Sequence, residues 1–122
     1  MTGGSASYGI SSKNAIELAF KEINEKGGIN GKQLELVVAD NKSEAAEATN
    51  AMQKLVSQDN VVAVIGPNLS SSVIAASAIN NSAKVLDIAP MATNPYVTVD
   101  QASGKTKDFN YRTCFIDPFQ AR

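Results

Sequence analysis

Histidine is absent from the 122-residue chain and cysteine occurs once. That rules out a His-dependent triad, a Cys–His dyad and an ordinary Cys/His zinc site. Cys114 has no second cysteine to pair with, so the fold must rest on its core, and this residue reads as a small buried hydrophobe in a strand. An excess of either charge is also lacking. Lys and Arg number 11 and Asp and Glu 12, for a net charge of −1 and no basic block, so the electrostatic footprint of a nucleic-acid binder is missing. The longest apolar stretch, Val61 to Ile65, is far too short to span a membrane. Met1 leads directly into Thr2-Gly3-Gly4-Ser5, with no visible signal peptide; an exported protein would have had its targeting segment removed. Dinucleotide-binding G-x-G-x-x-G, P-loop and G-x-S-x-G patterns are all absent, and serine without histidine has no obvious base.

What is present, 43% hydrophobic and 19% charged, suits one globular domain and is too short for two. Helix and strand signals alternate. Ile10 to Lys26 predicts a helix with Ile16, Phe20 and Ile23 on one face, closed by Gly27-Gly28. Leu34 to Val38 predicts a strand ending near Asp40. Ser43 is the expected N-cap of a second helix whose buried stripe is Ala45, Ala48, Met52 and Leu55. Val61 to Ile65, apolar without alternation, predicts a strand covered on both faces and the most buried of the sheet. Ser70 to Asn81 predicts a third helix with Ile74, Ala75, Ala78 and Ile79 inward. Val85 to Ala89 and Phe109 to Phe115 are further strands, Pro90 to Asp108 a long loop, and Asp117 the start of another helix. The expected fold is α/β: a flavodoxin-like, doubly wound, mostly parallel sheet of about four strands, with right-handed crossovers.

Ligands of such sheets bind outside the carboxyl ends of the strands. Two of these ends are rich in small polar groups. Gly66-Pro67-Asn68-Leu69-Ser70-Ser71-Ser72 joins a strand to a helix N-terminus, where free amides and hydroxyls suit an anion such as a carboxylate; the alternative is that the serines merely cap the helix. Ala89-Pro90-Met91-Ala92-Thr93-Asn94-Pro95 is kept from helix by its prolines, leaving backbone groups free for a ligand ammonium and carboxylate, or else it is a plain connection. Tyr8 is either a cover for a ligand or a surface aromatic. Asp40 at a strand end is either a metal or phosphoryl site or, more commonly, a cap for its loop.

Ala19-Phe20-Lys21-Glu22-Ile23-Asn24-Glu25-Lys26-Gly27-Gly28-Ile29-Asn30-Gly31-Lys32 resembles the A-x-x-x-I-N-x-x-G-G-I-x-G-x segment of type I periplasmic binding proteins. The match is closest to the branched-chain amino acid (Leu/Ile/Val) branch. Val64-Ile65-Gly66-Pro67 with Ser70-Ser71, then Ala92-Thr93-Asn94-Pro95, then Tyr111-Arg112-Thr113 with Asp117 and Gln120 continue it in order over nearly the whole chain. The resemblance implies a two-lobe clamp that closes on an amino acid and delivers it to the permease of an ABC importer. No cofactor and no catalysis are implied, and the location is extracytoplasmic: periplasmic, or a cell-surface lipoprotein in a Gram-positive.

Carried over by residue, Ser70 resembles the serine that holds the ligand carboxylate, Met91 sits where a backbone group is offered, and Thr93 resembles the threonine binding through hydroxyl and backbone. Tyr8 matches an aromatic near the ligand side chain, and Ser71 and Ala92 are neighbours in the same wall. Residues 1–122 then read as a partial N-terminal lobe, lacking a first, central strand and the second lobe. A missing central strand predicts that Leu34–Val38 and Val61–Ile65 either close on each other or that another chain, as in a homodimer, covers the gap. Two rival readings stand beside this one: an isolated or engineered flavodoxin-like fragment without binding activity, and a flavodoxin-like enzyme or phosphoreceiver. The acids and lysine that a receiver needs at its strand ends are missing, since those ends are Asp40, Gly66 and Ala89.

Overall fold

A computed structural model describes residues 1–120. Its strands are β1 (Ala63–Ile65), β2 (Leu86–Ala89) and β3 (Asn110–Arg112), and its helices α1 (Ala6–Glu25), α2 (Ala45–Ser57), α3 (Ser70–Ala83) and a short α4 (Asp117–Gln120). The strands form one open sheet in the order β1-β2-β3, with both pairs parallel. Val64 lies opposite Asp87, and Asp87 opposite Asn110. The α/β class expected from the alternating pattern is therefore present, with three ladder strands rather than four.

The helix ends follow local chemistry. α1 stops where the Gly28 amide reaches back to the Ile23 carbonyl at 2.9 Å and the Gly27 amide to Asn24. Gly28 is at φ +76°, and a Cβ there would sit 1.9 Å from the Lys32 carbonyl oxygen, so only glycine fits. Asn24 then fixes the next segment, its amide and carbonyl pairing with both main-chain groups of Leu34. At α2 the N-cap position is Glu44, not Ser43, and no side chain caps it. Ser43 sits at φ +63°, and its hydroxyl instead accepts from the Ser5 amide and donates to the Thr2 carbonyl.

The core has two parts. Met52, Leu55, Val64 and Ala76 pack α2 and α3 over β1; Val73, Ala89, Ala92 and Val97 pack α3 against the end of β2 and the loop beyond it. The α2 stripe is as expected for Ala48, Met52 and Leu55. α3 is rotated from expectation. Ser72, Val73, Ala76, Ser77 and Asn80 are buried, whereas Ala75 and Ala78 are exposed. Apolar residues occur all round this helix, so their spacing does not choose a face. Hydrogen bonds do. Asn80 Nδ2 donates to the carbonyls of Val85 and Phe109, both at 3.1 Å, and Asn81 Nδ2 donates to Asn110 Oδ1.

Two expectations fail at the β1 side. Leu34–Val38 is extended but joins no ladder, and its backbone past Leu34 finds no hydrogen-bond partner among the described residues. It has not closed on β1. A cavity of about 730 Å³, walled by Ile16 and Phe20 of α1, Leu36 and Val38, and Met52 and Val64, separates the two. β1 is consequently an edge strand. Val62 is 93% exposed and Ile65 47%, so β2, with Asp87 and Ala89 fully buried, is the most buried strand instead. An apolar run reports what a strand can tolerate on its faces, not whether a neighbour is there.

Asp87 is the unusual group of the core. Its Oδ2 accepts from Asn110 Nδ2 at 2.9 Å, and its Oδ1 has no partner among the described residues. Burial pushes its carboxyl up to about 7, against the pull of the Lys107 ammonium. Its proton is thus held more tightly folded than unfolded. The stability this contributes is complete below the unfolded value near 3.8 and lost as pH rises through about 7. Thermal melts should fall in midpoint between pH 5 and 8. Asp87→Asn, which keeps the shape without the charge, should flatten that slope and raise the midpoint at pH 8 by several degrees. An unchanged slope would place the pH dependence elsewhere.

Candidate ligand-binding site

The carboxyl ends of β1 and β2 lead into the two loops singled out by sequence. After β1, Gly66 turns at φ +105° into Pro67-Asn68-Leu69, and α3 begins at Ser70 with Leu69 as its N-cap. No side chain caps this end. The serines are therefore not capping residues, and the amides of the first turn are left facing outward with the positive end of the helix dipole. Ser70 is half-buried, Ser71 exposed and Ser72 fully buried.

After β2, residues 90–98 fold back over the sheet edge. Asn94 Oδ1 caps a short 3-10 turn, Pro95–Val97, by accepting from the Tyr96 amide at 2.9 Å. The two loops are tied at one point: the Asn94 amide donates to Ser70 Oγ at 3.2 Å. With its lone pair so engaged, the Ser70 hydroxyl keeps its proton free to donate. Ser70 and the Met91–Asn94 stretch thus share one edge. Met91 and Thr93 are half-buried there, while the Ala92 methyl is 1% exposed and belongs to the core with Val73 and Val97. Ala92 therefore backs the wall from behind.

Free carbonyls were expected in this loop, and few remain. The Ala92 carbonyl accepts from Arg112 Nη1 (3.2 Å) and Cys114 Sγ (3.4 Å), Thr93 from the Asp117 amide (3.0 Å), Asn94 from Arg112 Nη1 (2.9 Å) and Pro95 from Arg112 Nη2 (3.1 Å). What the edge has left to offer is mainly donors: the Ser70 hydroxyl, the first-turn amides of α3, and Thr93. No charged side chain is among them. Such a set is complementary to one carboxylate.

Tyr8 lies within the first turns of α1, with its ring 57% exposed. No hydrogen bond brings it to Ser70 or Thr93. It shares a helical face with Ser12, whose hydroxyl donates to Asn68 Oδ1 at 3.3 Å, so that face of α1 borders the first loop. Asp40 accepts from the amides of Lys42 and Thr2 and the Thr2 hydroxyl, which hold its carboxyl well below the usual range. It is a loop cap. No cluster of three or more His, Cys, Asp or Glu that could hold a metal occurs among the described residues. Sequence reasoning gave Arg112 and Asn94 no individual role, and Cys114, expected as a small buried hydrophobe in a strand, instead lies beyond the end of β3, only half-buried, with its thiol turned to the Ala92 carbonyl. The available signal for Arg112 was an arginine in an expected strand whose nearest acids in sequence are Asp108 and Asp117.

Ser72 Oγ is fully buried without a partner among the described residues. Ser72→Ala should therefore be neutral or stabilising, by up to about 1 kcal/mol, in denaturant titrations. A loss of stability of that size would mean the hydroxyl is satisfied after all.

A family model described as "Periplasmic binding protein" matches residues 1–116, and the chain belongs to that family. It is 41% identical over 119 residues to an amino acid binding protein of Pseudomonas aeruginosa, covering 98% of this chain and 30% of the relative. It is 35% identical over 120 residues to a Leu/Ile/Val-binding protein homolog of Brucella abortus, covering 98% and 31%. Among solved structures it superposes on a branched-chain amino acid transporter substrate binding protein of Streptococcus pneumoniae, in complex with isoleucine. There the TM-score is 0.87 at 41% identity, over 95% of this chain and 32% of that one. A leucine binding protein of Thermotoga maritima gives 0.85 at 38% identity, over 98% and 32%. The chain thus spans about a third of the length of these relatives, and its open sheet matches part of one lobe of type I periplasmic binding proteins.

Proposed function

We propose that this chain forms one wall of the amino acid site of an extracytoplasmic solute-binding protein serving an ABC importer, with a branched-chain amino acid as ligand and a permease as the partner of the whole protein. The observation that carries the reading is the Ser70–Asn94 bond, which joins two loops into one uncharged, donor-rich edge. On this reading Ser70, Ser71 and Thr93 receive the ligand carboxylate, Met91 lines the site beside them, Ala92 backs it, and Tyr8 flanks the ligand side chain. The relatives described as amino acid or Leu/Ile/Val binders support the ligand class. Membership of the periplasmic binding protein family supports binding rather than catalysis.

One open wall leaves a bound amino acid in contact with water, which weakens each hydrogen bond. Leucine should accordingly bind the 122-residue chain in the millimolar range. In a titration followed by amide chemical shifts, Ser70, Ser71 and Thr93 should move with leucine and hardly at all with leucinamide, which lacks the carboxylate. Ser70→Ala should reduce the response. Equal effects of leucine and leucinamide, or no movement at these amides, would defeat the assignment. Micromolar affinity by calorimetry would defeat the one-wall argument.

The same chain has an unpaired strand edge beside an apolar cavity, and we infer that it self-associates there. Exposed backbone donors and acceptors on β1, next to Val62 and Ile65, favour pairing with a second copy. Light scattering on a size-exclusion column should show a dimer at high micromolar concentration. A species of 12.8 kDa with a cooperative melt would dismiss that association.

A further inference from the structure

Arg112 ends β3 and is half-buried, and its guanidinium meets no carboxylate among the described residues. It spends its donors on four neutral acceptors of a single loop. Nη1 donates to the carbonyls of Ala92 and Asn94, at 3.2 and 2.9 Å. Nη2 donates to the Pro95 carbonyl at 3.1 Å and to Thr98 Oγ1 at 2.8 Å. A planar fork with fixed donor directions can hold several carbonyls at set angles; an ammonium cannot.

The consequence lies on the opposite side of the peptide unit. A trans peptide is planar, with C=O and N–H pointing in opposite directions. With the Ala92 carbonyl turned in to Arg112 and Cys114, the Thr93 amide of that unit must point away from them. Among the described residues it has no acceptor. The Thr93 carbonyl is fixed by the Asp117 amide, and the Asn94 amide by Ser70. Every main-chain polar group from the Ala92 carbonyl to the Asn94 carbonyl is thus held except one donor.

The geometry points to Arg112 as the positioning residue of the site: by gathering the carbonyls of Ala92, Asn94 and Pro95 it turns the Thr93 amide outward to meet a carboxylate. Arg112 itself does not touch the ligand. This rests on the site proposed above and adds the group that sets its geometry.

The test compares the 122-residue chain with Arg112→Lys and with Thr98→Val, using leucine as probe and amide chemical shifts and heteronuclear relaxation as readouts. Lysine keeps the charge but not the fork. The initial slope of the Thr93 shift against leucine concentration should fall by about tenfold or more, because a donor displaced by a fraction of an ångström no longer meets its acceptor. Relaxation should show new motion confined to residues 92–98. Thr98→Val removes one acceptor and leaves Arg112 in place, so it should give a smaller loss in a chain that remains folded, which keeps the idea testable should the lysine variant fail to fold. If leucine moves Thr93 in the parent chain and both variants respond as the parent does, the positioning role is wrong while the site stands. If leucine does not move Thr93 even in the parent chain, the site reading fails and the positioning role with it. A purely structural role would lower the melting temperature of the variants and leave the leucine response of the folded population unchanged.

Discussion

The Asn110 side chain ties α3 to β2 and β3, and the carboxyl edge of the sheet depends on that tie. Its carboxamide oxygen accepts from Asn80 and Asn81 near the end of α3, and its nitrogen donates to Asp87 of β2. Buried amides bonded on both sides fix two elements at once, since either unmade bond would leave a desolvated polar group. The end of α3 is thereby held against the amino ends of β2 and β3. A 14-residue helix extends about 21 Å, whereas the three- and four-residue strands beside it run only about 10–13 Å. The N-terminus of α3 must then emerge past the carboxyl edge of the sheet, and that is where Ser70 lies. The second tie follows from the strand period. Asn110 and Arg112 are two residues apart, so they project from the same face of β3. One holds the helix and the other the loop after β2, and the Ser70–Asn94 bond is where the two meet.

That arrangement explains which parts could be read in advance. Apart from the expected strand Leu34–Val38, the order of elements, the closing turn of α1 at Gly27-Gly28 and the α2 stripe were legible because each depends on neighbours within a few residues. So was the position of the two loops at the carboxyl ends of β1 and β2, because Gly-Pro or Pro after an apolar run ends a strand. The face of α3 was not legible. Its inward residues include Ser72, Ser77 and Asn80, which a hydrophobic period counts as outward, and Ser77 and Asn80 are bonded to Lys107 and Asn110, 30 positions away. The exposure of β1 was hidden for a related reason: Val61 to Ile65 reads alike beside a neighbouring strand or beside a cavity. Ser43 misled because its hydroxyl serves the Thr2–Ser5 segment 38 to 41 residues earlier instead of the helix it precedes.

The polar core also has a cost. Asp87 Oδ1 and Asn80 Oδ1 are buried with no partner among the described residues. Lys107, which opposes the rise at Asp87, donates to Ser77 Oγ and the Tyr96 carbonyl, and its own ammonium is disfavoured by burial. An apolar residue at position 87 would avoid the charge but would leave the Asn110 amide nitrogen without an acceptor. The Asn80–Asn81–Asn110 cluster needs that nitrogen directed toward β2 for its oxygen to face α3. Asp87 is thus tied to the orientation of the helix, and its unfavourable burial is the counterpart of that orientation.

The same economy governs the edge where the ligand is proposed to bind. An arginine placed against a carboxylate would attract it strongly, but it would have to shed its hydration and hold still at the moment of binding. Here the guanidinium stands on the far side of the loop, already engaged with carbonyls. Its charge still acts forward, because a carbonyl that accepts from a cation polarises its own peptide and makes the attached N–H a better donor. From Arg112 through the Ala92 carbonyl to the Thr93 amide there is one such step. Together with the uncapped first turn of α3, this gives the edge a positive potential built from dipoles whose directions are set before any ligand arrives. Preset dipoles need little reorganisation on binding, and they favour a carboxylate over neutral groups without the desolvation that a charged contact would require.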